Sequence, residues 1–154
     1  MTCQTVMLLN PFTVRDTATL SQALDILFQH RIKSIPVVDN QHVYRGLFGI
    51  HTLVRVLLPR AATLNEGSGL TDLTFVHDSL DTLKDRLAQR LPEPVTAFMD
   101  TALVPLTPDK SLQETLLLLH RHRHSLPVAD PVTGRLLGIV TYWEMLTHLT
   151  GRTG

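Results

Sequence analysis

The chain of 154 residues is long enough to bury one well-packed core or two small fused ones. Hydrophobic residues make up 44% of it and charged residues 18%, which is typical of a folded globular protein, and the formal net charge is zero at pH 7. This balance excludes the strongly basic surface that recognises nucleic acids or acidic membranes, so neither is predicted as a partner.

The N-terminal segment M-T-C-Q-T-V-M-L-L-N-P lacks the basic start and the long apolar core of a signal peptide. Apolar runs elsewhere, such as residues 116–119, are too short to span a bilayer. The single cysteine, Cys3, excludes an intramolecular disulfide and suits a reducing compartment, and it lies near a terminus that we expect to be mobile. These features predict a cytoplasmic protein.

Residues 1–58 form the first of two similar segments, with the predicted order β-α-β-β-α. The predicted elements are a β segment at 12–14, a helix from Thr19, strands at 35–38 and 46–48, and a helix at 52–58. A capping box, Thr19-x-x-Gln22, predicts the helix start. Pro36 offers no ladder donor, which favours an edge position or the start of a strand.

Residues 59–94 have no counterpart elsewhere in the chain. Their first part reads as a loop because it contains Asn65, Gly67 and Gly69. A helix is predicted at residues 71–90, because its apolar side chains recur every three or four positions: Leu73, Val76, Leu80, Leu83 and Leu87. This helix either packs on its own domain or contacts a second subunit or a client protein.

Residues 95–154 repeat the first pattern. The matching elements are a β segment at 104–106, a helix from Ser111, strands at 126–129 and 136–140, and a helix at 142–149. A second capping box, Ser111-x-x-Glu114, predicts where the long helix begins. Such a duplication makes a pseudo-symmetric molecule with a cleft between its halves, and clefts of this kind bind ligands more often than they perform chemistry.

The duplicated pattern resembles a tandem pair of cystathionine-β-synthase (CBS) domains, the arrangement called a Bateman module. The resemblance rests on a helix followed by I-P-V-V-D at residues 35–39 or L-P-V-A-D at residues 126–130. It rests also on glycine, two hydrophobic residues, threonine and an acid three positions later, at residues 138–144. It implies an α+β fold in which two β-α-β-β-α CBS repeats pack as one module, with an extra helix inserted between them.

The resemblance also implies a function. Members of the family are usually non-catalytic regulatory modules whose clefts bind adenosyl compounds such as AMP, ADP, ATP or S-adenosylmethionine, and pairs of repeats associate into disc-like homodimers. In the family, the acid that closes the second motif binds the ribose hydroxyls, while its threonine and the nearby helix N-terminus favour phosphate.

The second repeat keeps the threonine of this motif as Thr141 and has Glu144 in place of the usual aspartate. The first repeat departs further, with Gly49 for the threonine and Thr52 for the acid, so its ribose site looks degraded. Thr-x-x-Glu is also a capping box. Thr141 and Glu144 therefore either hold their own helix end alone or contact a ligand as well.

In some family members, the residues just before each Pro-Val motif face the nucleotide phosphates. Here those residues are Lys33 and Ser34 in the first repeat, and His124 and Ser125 in the second. Lys33 is a permanent cation that either faces a phosphate or is a solvated surface lysine.

The run of histidines and arginines at residues 120–124 has two interpretations. His120 and His124 are one helical turn apart, a spacing that two ligands of one metal ion could share. A basic helix end, which the helix dipole favours, explains the run without a metal, and we predict no metal site. Arg123 stands where the first repeat has Ile32, so either the second helix ends differently or Arg123 reaches into the cleft.

The sequence therefore predicts a non-catalytic regulatory module that needs no cofactor. It would bind an adenosyl ligand between the repeats, form a homodimer and signal to a separate client protein. The alternative is an interaction or oligomerisation protein with degenerate ligand sites, acting through the inserted helix. No nucleophile paired with a base and no phosphate loop is present in the sequence, so no enzymatic activity is predicted.

Overall fold

The computed structural model describes residues 1–58 and 79–152. Its α-helices are α1 Cys3–Val6, α2 Leu20–His30, α3 Ile50–Leu57, α4 Leu80–Ala88, α5 Leu112–His122 and α6 Tyr142–Thr150. Its strands are β1 Leu8–Leu9, β2 Val14–Arg15, β3 Ser34–Val38, β4 Tyr44–Gly49, β5 Leu126–Ala129 and β6 Leu136–Val140. Two three-stranded sheets result, in the orders β2-β3-β4 and β1-β6-β5, and the predicted α+β class is confirmed. Within the described ranges, no helix has the length and apolarity to cross a membrane.

The helix starts follow the capping signals in the sequence. Thr19 and Gln22 form the predicted reciprocal capping box, with backbone-to-side-chain hydrogen bonds of 3.2 and 2.9 Å. Ser111 caps α5 by accepting a hydrogen bond from the Glu114 backbone N–H at 3.2 Å. Because each cap satisfies a donor that the helix itself leaves free, these short polar patterns fix where α2 and α5 begin.

The ends of α2 and α5 correct the alignment of Arg123 with Ile32. Both helices stop at an arginine in the left-handed conformation, Arg31 with φ 52° and Arg123 with φ 59°. Arg123 therefore corresponds to Arg31, and the stretch from this arginine to the proline of the Pro-Val motif is one residue shorter in the second repeat. His124 lies beyond the end of α5, so it does not share a helical face with His120.

The paired strands and their turns have the same design in both halves. The carboxylate of Asp39 accepts hydrogen bonds from the backbone N–H groups of Gln41 and Val43, at 2.8 and 3.0 Å, and thereby holds the β3–β4 turn. Asp130 does the same for Val132 and Thr133 at 2.7 and 3.0 Å, in the β5–β6 turn. The aspartate that closes each Pro-Val motif is thus a turn former.

The expectation of an edge position for Pro36 is wrong, because β3 is the central strand of its sheet. Pro36 pairs with Leu47 of the antiparallel neighbour, while β2 pairs only with Val37 and Val38 on the other side. The two-residue β2 begins opposite Val37, so no residue of β2 lies beside Pro36. A central strand accommodates the missing N–H because no ladder partner faces it.

Each half has its own hydrophobic core, but the two cores do not follow the order of the chain. The first core contains Val95 and Phe98, which come after the inserted segment, together with buried residues of β3 and α2. The second core contains Cys3 and Val6 from the N-terminus, together with buried residues of β5 and β6. The first residues of each repeat are therefore exchanged between the halves, because each set packs in the core of the other repeat.

Backbone pairing fixes this exchange. In the second sheet, Leu8 of β1 lies opposite Ile139 of β6. In the first half, Leu47 and Asp100 exchange two N–H···O hydrogen bonds of 3.0 and 2.8 Å. The expectation of a mobile terminus around Cys3 is consequently wrong. Its side chain is completely buried, and burial raises the pKa of its thiol.

The inserted segment is described from residue 79 onward. Helix α4 begins at Leu80, capped by Ser79, and Leu87 near its C-terminal end packs against the first core. The C-terminal end of this helix therefore contacts the first half, whereas Leu80 at its start is 66% exposed. The prediction of one helix over residues 71–90 is wrong at Ser79, whose extended backbone caps the helix that begins at Leu80. The predicted helical positions Leu73 and Val76 lie outside the described residues.

The exchange predicts an unequal response to two equivalent glycine substitutions. An added Cβ at Gly138 would lie 2.6 Å from the backbone oxygen of Leu8, which the β1–β6 pairing holds in place. At Gly46 it would meet the flexible side chain of Met99 at 2.8 Å and the Asp100 oxygen at 3.0 Å. We expect Gly138→Ala to lower the free energy of unfolding by about 1–3 kcal/mol and Gly46→Ala by less. Urea denaturation of the two variants measures the difference, and an equal or reversed order would contradict it.

Candidate functional site

A cleft of about 500 Å³ lies between the two halves, and we call it the Lys33 cleft. Its lining residues come from both repeats and from the segment that crosses between β1 and β2: Leu8, Pro11, Phe12, Arg31, Ile32, Lys33, Ser34, Pro36, Ser125, Ile139, Thr141, Tyr142 and Trp143. This volume falls within the range of about 300–1,000 Å³ that is usual for small-molecule sites. The cleft can therefore hold a ligand of nucleotide size.

Backbone hydrogen bonds hold the polar side of this cleft in place. The carbonyl oxygen of Lys33 accepts a hydrogen bond of 2.9 Å from the Ile50 N–H at the start of α3. On the opposite wall, Thr141 is the N-cap of α6, and its hydroxyl accepts from the Glu144 N–H at 3.0 Å. The Tyr142 hydroxyl donates to the Leu119 carbonyl at 2.5 Å. Lys33 and Thr141 thus line the same cleft from different repeats.

The charges around the Lys33 cleft favour an anion. Arg31 and Lys33 line it, and among the described residues no acidic side chain does. The N-terminus of α6 opens at Thr141, where free backbone N–H groups and the helix dipole attract negative charge. Phe12 adds an apolar surface and is stacked on His30, with 3.7 Å between ring centroids. The cleft combines cationic groups with aromatic area, as a ligand with a phosphate and a planar ring requires.

The structure brings four of the eight predicted site residues together: Lys33, Ser34, Ser125 and Thr141 all line the Lys33 cleft. Thr141 does cap its helix, as one of its two interpretations expects. Its capping partner Glu144 is half-buried and, in the described part of the chain, lies outside the lining. Arg123 is exposed at the end of α5.

Thr52 lies apart from the Lys33 cleft and is only 3% exposed. Its hydroxyl donates to the Gly49 carbonyl at 2.9 Å and accepts from the Gly49 N–H at 3.1 Å. Both bonds stay within the first turn of α3. The local role of this hydroxyl is therefore to close the start of that helix.

The last of the predicted residues, His124, belongs to a side-chain cluster at the place that the repeat relates to the Lys33 cleft, and we call it the His124 cluster. It is defined by His51, Asp100 and His124, which offer two ring nitrogens and a carboxylate oxygen within 4.8 Å of one another. The His51 and His124 rings are stacked, with centroids 4.5 Å apart. Burial lowers the pKa of His51, and the neighbouring His124 lowers it further.

Strand register relates this cluster to the Lys33 cleft residue by residue. Ile35 pairs with Phe48 in one half and the equivalent Leu126 pairs with Val140 in the other, so His124 takes the place of Lys33, and His51 that of Trp143. Asp100 likewise takes the place of Leu8, because Asp100 pairs with Leu47 and Leu8 pairs with the equivalent Ile139. The two places share a backbone but differ in chemistry.

Sequence reasoning missed His51 and Asp100. Neither residue belongs to a recognisable motif, and they come from elements separated by the whole inserted segment. The signal that could have found them is the repeat itself. Superposing the second repeat on the first puts His51 at the position of Trp143, which borders the Lys33 cleft.

Comparison with known families matches the CBS domain model to two stretches of the chain, residues 3–59 and 95–151. These stretches contain both Pro-Val motifs, the residues of the Lys33 cleft and the His124 cluster. The match confirms the resemblance drawn from the duplicated pattern.

Individual relatives are distant in sequence. The CBS domain-containing protein CBSX1, chloroplastic, from Arabidopsis thaliana is 25% identical over 129 residues, which are 83% of this chain and 54% of CBSX1. The chain thus spans about half the length of this curated relative.

Solved structures share the fold. The CBS-pair protein CBSX2 from Arabidopsis thaliana superposes with a TM-score of 0.73 at 19% identity, over 97% of this chain and 94% of that one. A crystal structure of CBSX2 in complex with AMP has a TM-score of 0.70 at 18% identity, over 97% of this chain and 96% of that one. At these identities the similarity establishes a common fold.

Proposed function

The chain belongs to the CBS domain family and carries two repeats, and from this premise we propose that it is a non-catalytic regulatory module that binds an adenine nucleotide in the Lys33 cleft. The observation that carries the proposal is the lining of this cleft, where Arg31, Lys33 and the start of α6 converge on one apolar-walled cavity of about 500 Å³. The AMP complex of the similarly folded CBSX2 supports the choice of an adenosyl ligand.

The lining suggests how the parts of a nucleotide would be held. We assign the phosphate to Lys33 and to the backbone N–H groups at the start of α6, since both favour negative charge. Ser34, Ser125 and the Thr141 hydroxyl supply neutral hydrogen bonds beside it. The base would lie against Phe12 or Trp143, whose aromatic faces border the same cavity.

Glu144 remains our candidate for the ribose hydroxyls. Its carboxylate would have to turn toward the cavity from the first turn of α6. Thr52 would have to break both of its hydrogen bonds to Gly49 to reach a ligand. We therefore place binding in the Lys33 cleft first.

A fluorescence titration tests this function directly. Trp143 is the only tryptophan in the chain and borders the Lys33 cleft, so a bound ligand should change its emission. We expect a saturable change with one or more of AMP, ADP, ATP and S-adenosylmethionine, and one ligand per chain by calorimetry. If none of these compounds changed the emission or released heat at millimolar concentration, the adenosyl proposal would be wrong.

We propose further that the module acts as a homodimer that reports to a separate client. Equivalent apolar side chains of α3 and α6 are exposed: Ile50 and Val54 in the first repeat, and Tyr142 and Leu146 in the second. Exposed apolar stripes on two related helices favour self-association. Sedimentation velocity measures the state of association, and a monomer at all concentrations would contradict the proposal.

The alternative function, an interaction protein acting through the inserted helix, has one supporting observation. Leu80 at the start of α4 is 66% exposed, whereas Leu87 near the other end of the helix packs against the first core. On this view Leu80→Glu would abolish a complex, while substitutions in the Lys33 cleft would have no effect on it. For a nucleotide sensor we expect the opposite result, in which substitutions in the Lys33 cleft change the complex and Leu80→Glu does not.

A further inference from the structure

We propose that the His124 cluster binds a divalent transition-metal ion, held by His51, Asp100 and His124. These residues combine two imidazoles with one carboxylate, a donor set that suits zinc and its neighbours in the first transition series. The proposal is independent of nucleotide binding, because it concerns residues that do not line the Lys33 cleft.

The first argument is distance. The three candidate ligand atoms lie within 4.8 Å of one another. A tetrahedral ion with bonds of about 2.0–2.2 Å sets its ligand atoms about 3.4 Å apart. Small rotations about the χ angles of the two histidines close this difference, because both side chains are only partly buried. The cluster is thus nearly assembled before an ion arrives.

The second argument is the state of His124. Its Nδ1 lies 2.8 Å from the backbone carbonyl oxygen of Ser125, and a carbonyl can only accept a hydrogen bond. Nδ1 must therefore carry the proton, which leaves the lone pair on Nε2. A ring that donates one N–H to a backbone carbonyl and offers the other nitrogen is the usual arrangement of a metal-bound histidine.

The third argument is that the other two residues have unused atoms at the same place. Nε2 of His51 is buried and has no hydrogen-bond partner among the described residues. A buried ring nitrogen without a partner is unfavourable unless a ligand satisfies it. Asp100 is oriented by the Ala102 N–H, which donates to Oδ1 at 2.9 Å, and its second carboxylate oxygen remains for an ion.

The site would join three separate elements of the chain. His51 lies in α3 of the first repeat, His124 follows α5 of the second, and Asp100 belongs to the exchanged segment that pairs with Leu47. An ion bound there would fix the first repeat to the second. Its consequence would be a coupling between metal content and the relative position of the halves.

Cobalt and zinc titrations test the proposal. Protein stripped with a chelator is titrated with Co²⁺, whose visible absorption reports nitrogen and oxygen ligands in a low-symmetry site, and bound Co²⁺ is then displaced by Zn²⁺. We expect one ion per chain and a rise in melting temperature with Zn²⁺. His51→Gln and Asp100→Asn should each weaken binding by about 10–100-fold. His120→Gln is the matched control, since that exposed histidine lies in the last turn of α5 and is not one of the three proposed ligands.

Two results would overturn the proposal. One is the absence of stoichiometric binding by the native protein, and the other is binding that His120→Gln weakens as much as His51→Gln does. Melting in chelator shows whether each variant is folded, and Asp100→Asn keeps an oxygen for Ala102 in case His51→Gln is unstable. The nucleotide titration with Trp143 emission is read separately, so failure of the metal site and failure of the nucleotide site are distinguishable.

Discussion

Replacing Leu47 by alanine is expected to lower the free energy of unfolding by about 2–5 kcal/mol. Leu47 is completely buried, and although it lies in β4 of the first sheet, its side chain packs in the core of the second half. A cavity at this position therefore removes contacts that join the two halves. Since domains of this size are stable by about 5–15 kcal/mol, the loss is a large fraction of the total.

Urea denaturation measures the loss for Leu47→Ala, and hydrogen exchange locates it. Backbone amides of β5 and β6 should lose protection, although the substituted residue lies in the other sheet. Val37→Ala is the control, because Val37 is equally buried on the neighbouring strand but packs in the first core. If Leu47→Ala exposed only first-half amides, the assignment of this side chain to the second core would be incorrect.

Reversing the charge of Lys33 is expected to weaken AMP binding by at least tenfold. Hydrogen bonds to charged groups contribute about 1.5–3 kcal/mol, which corresponds to roughly 10–100-fold in affinity. Lys33→Glu removes this attraction and adds a repulsion in a cleft that otherwise has no acidic lining among the described residues. Adenosine, which has no phosphate, should bind the variant and the native protein equally well.

The control for Lys33→Glu is Lys84→Glu, a change of the same charge on the exposed side of α4. It should leave AMP affinity unchanged, because screening in physiological salt removes most of the effect of distant surface charges. Equal losses for AMP and adenosine in Lys33→Glu would mean that the lysine shapes the cleft without contacting phosphate. That outcome would remove Lys33 from the phosphate site.

Elements with local signals could be predicted from the sequence. Thr19, Ser111 and Thr141 each accept a hydrogen bond from the residue three positions later, and each helix begins where its cap predicts. The strands that follow the two helices were predicted within one residue of their observed starts, because apolar residues between a helix end and an aspartate turn allow few alternatives. Here the structure is determined by residues that are neighbours in the chain.

Features that depend on distant partners could not be predicted in this way. Nothing in the two residues of β1 specifies that they pair with β6, because so short a strand obtains its stability from the sheet it joins. The left-handed conformation of the residues that end α2 and α5 could not be predicted from the sequence either. Glycine is the usual signal for that conformation, and here arginines adopt it.

The candidate sites show the same division. Lys33 and Thr141 were found because each belongs to a recognisable motif, and the fold then brings both motifs to one cleft. His51, Asp100 and His124 come from three separate elements, so their proximity exists only in the folded chain. A repeated fold makes such clusters foreseeable only when one half is used as a template for the other.

The exchanged segments also set an order in which the molecule can be completed during synthesis. The first core needs nothing beyond Phe98, so it can close when about two thirds of the chain has been made. The second core must wait for β6 and α6, while Cys3 and Val6, made far earlier, remain without their partners. Such long-range closure is slow because loop entropy is lost before any contact compensates for it. We therefore expect folding in two stages, with the N-terminal residues docking last.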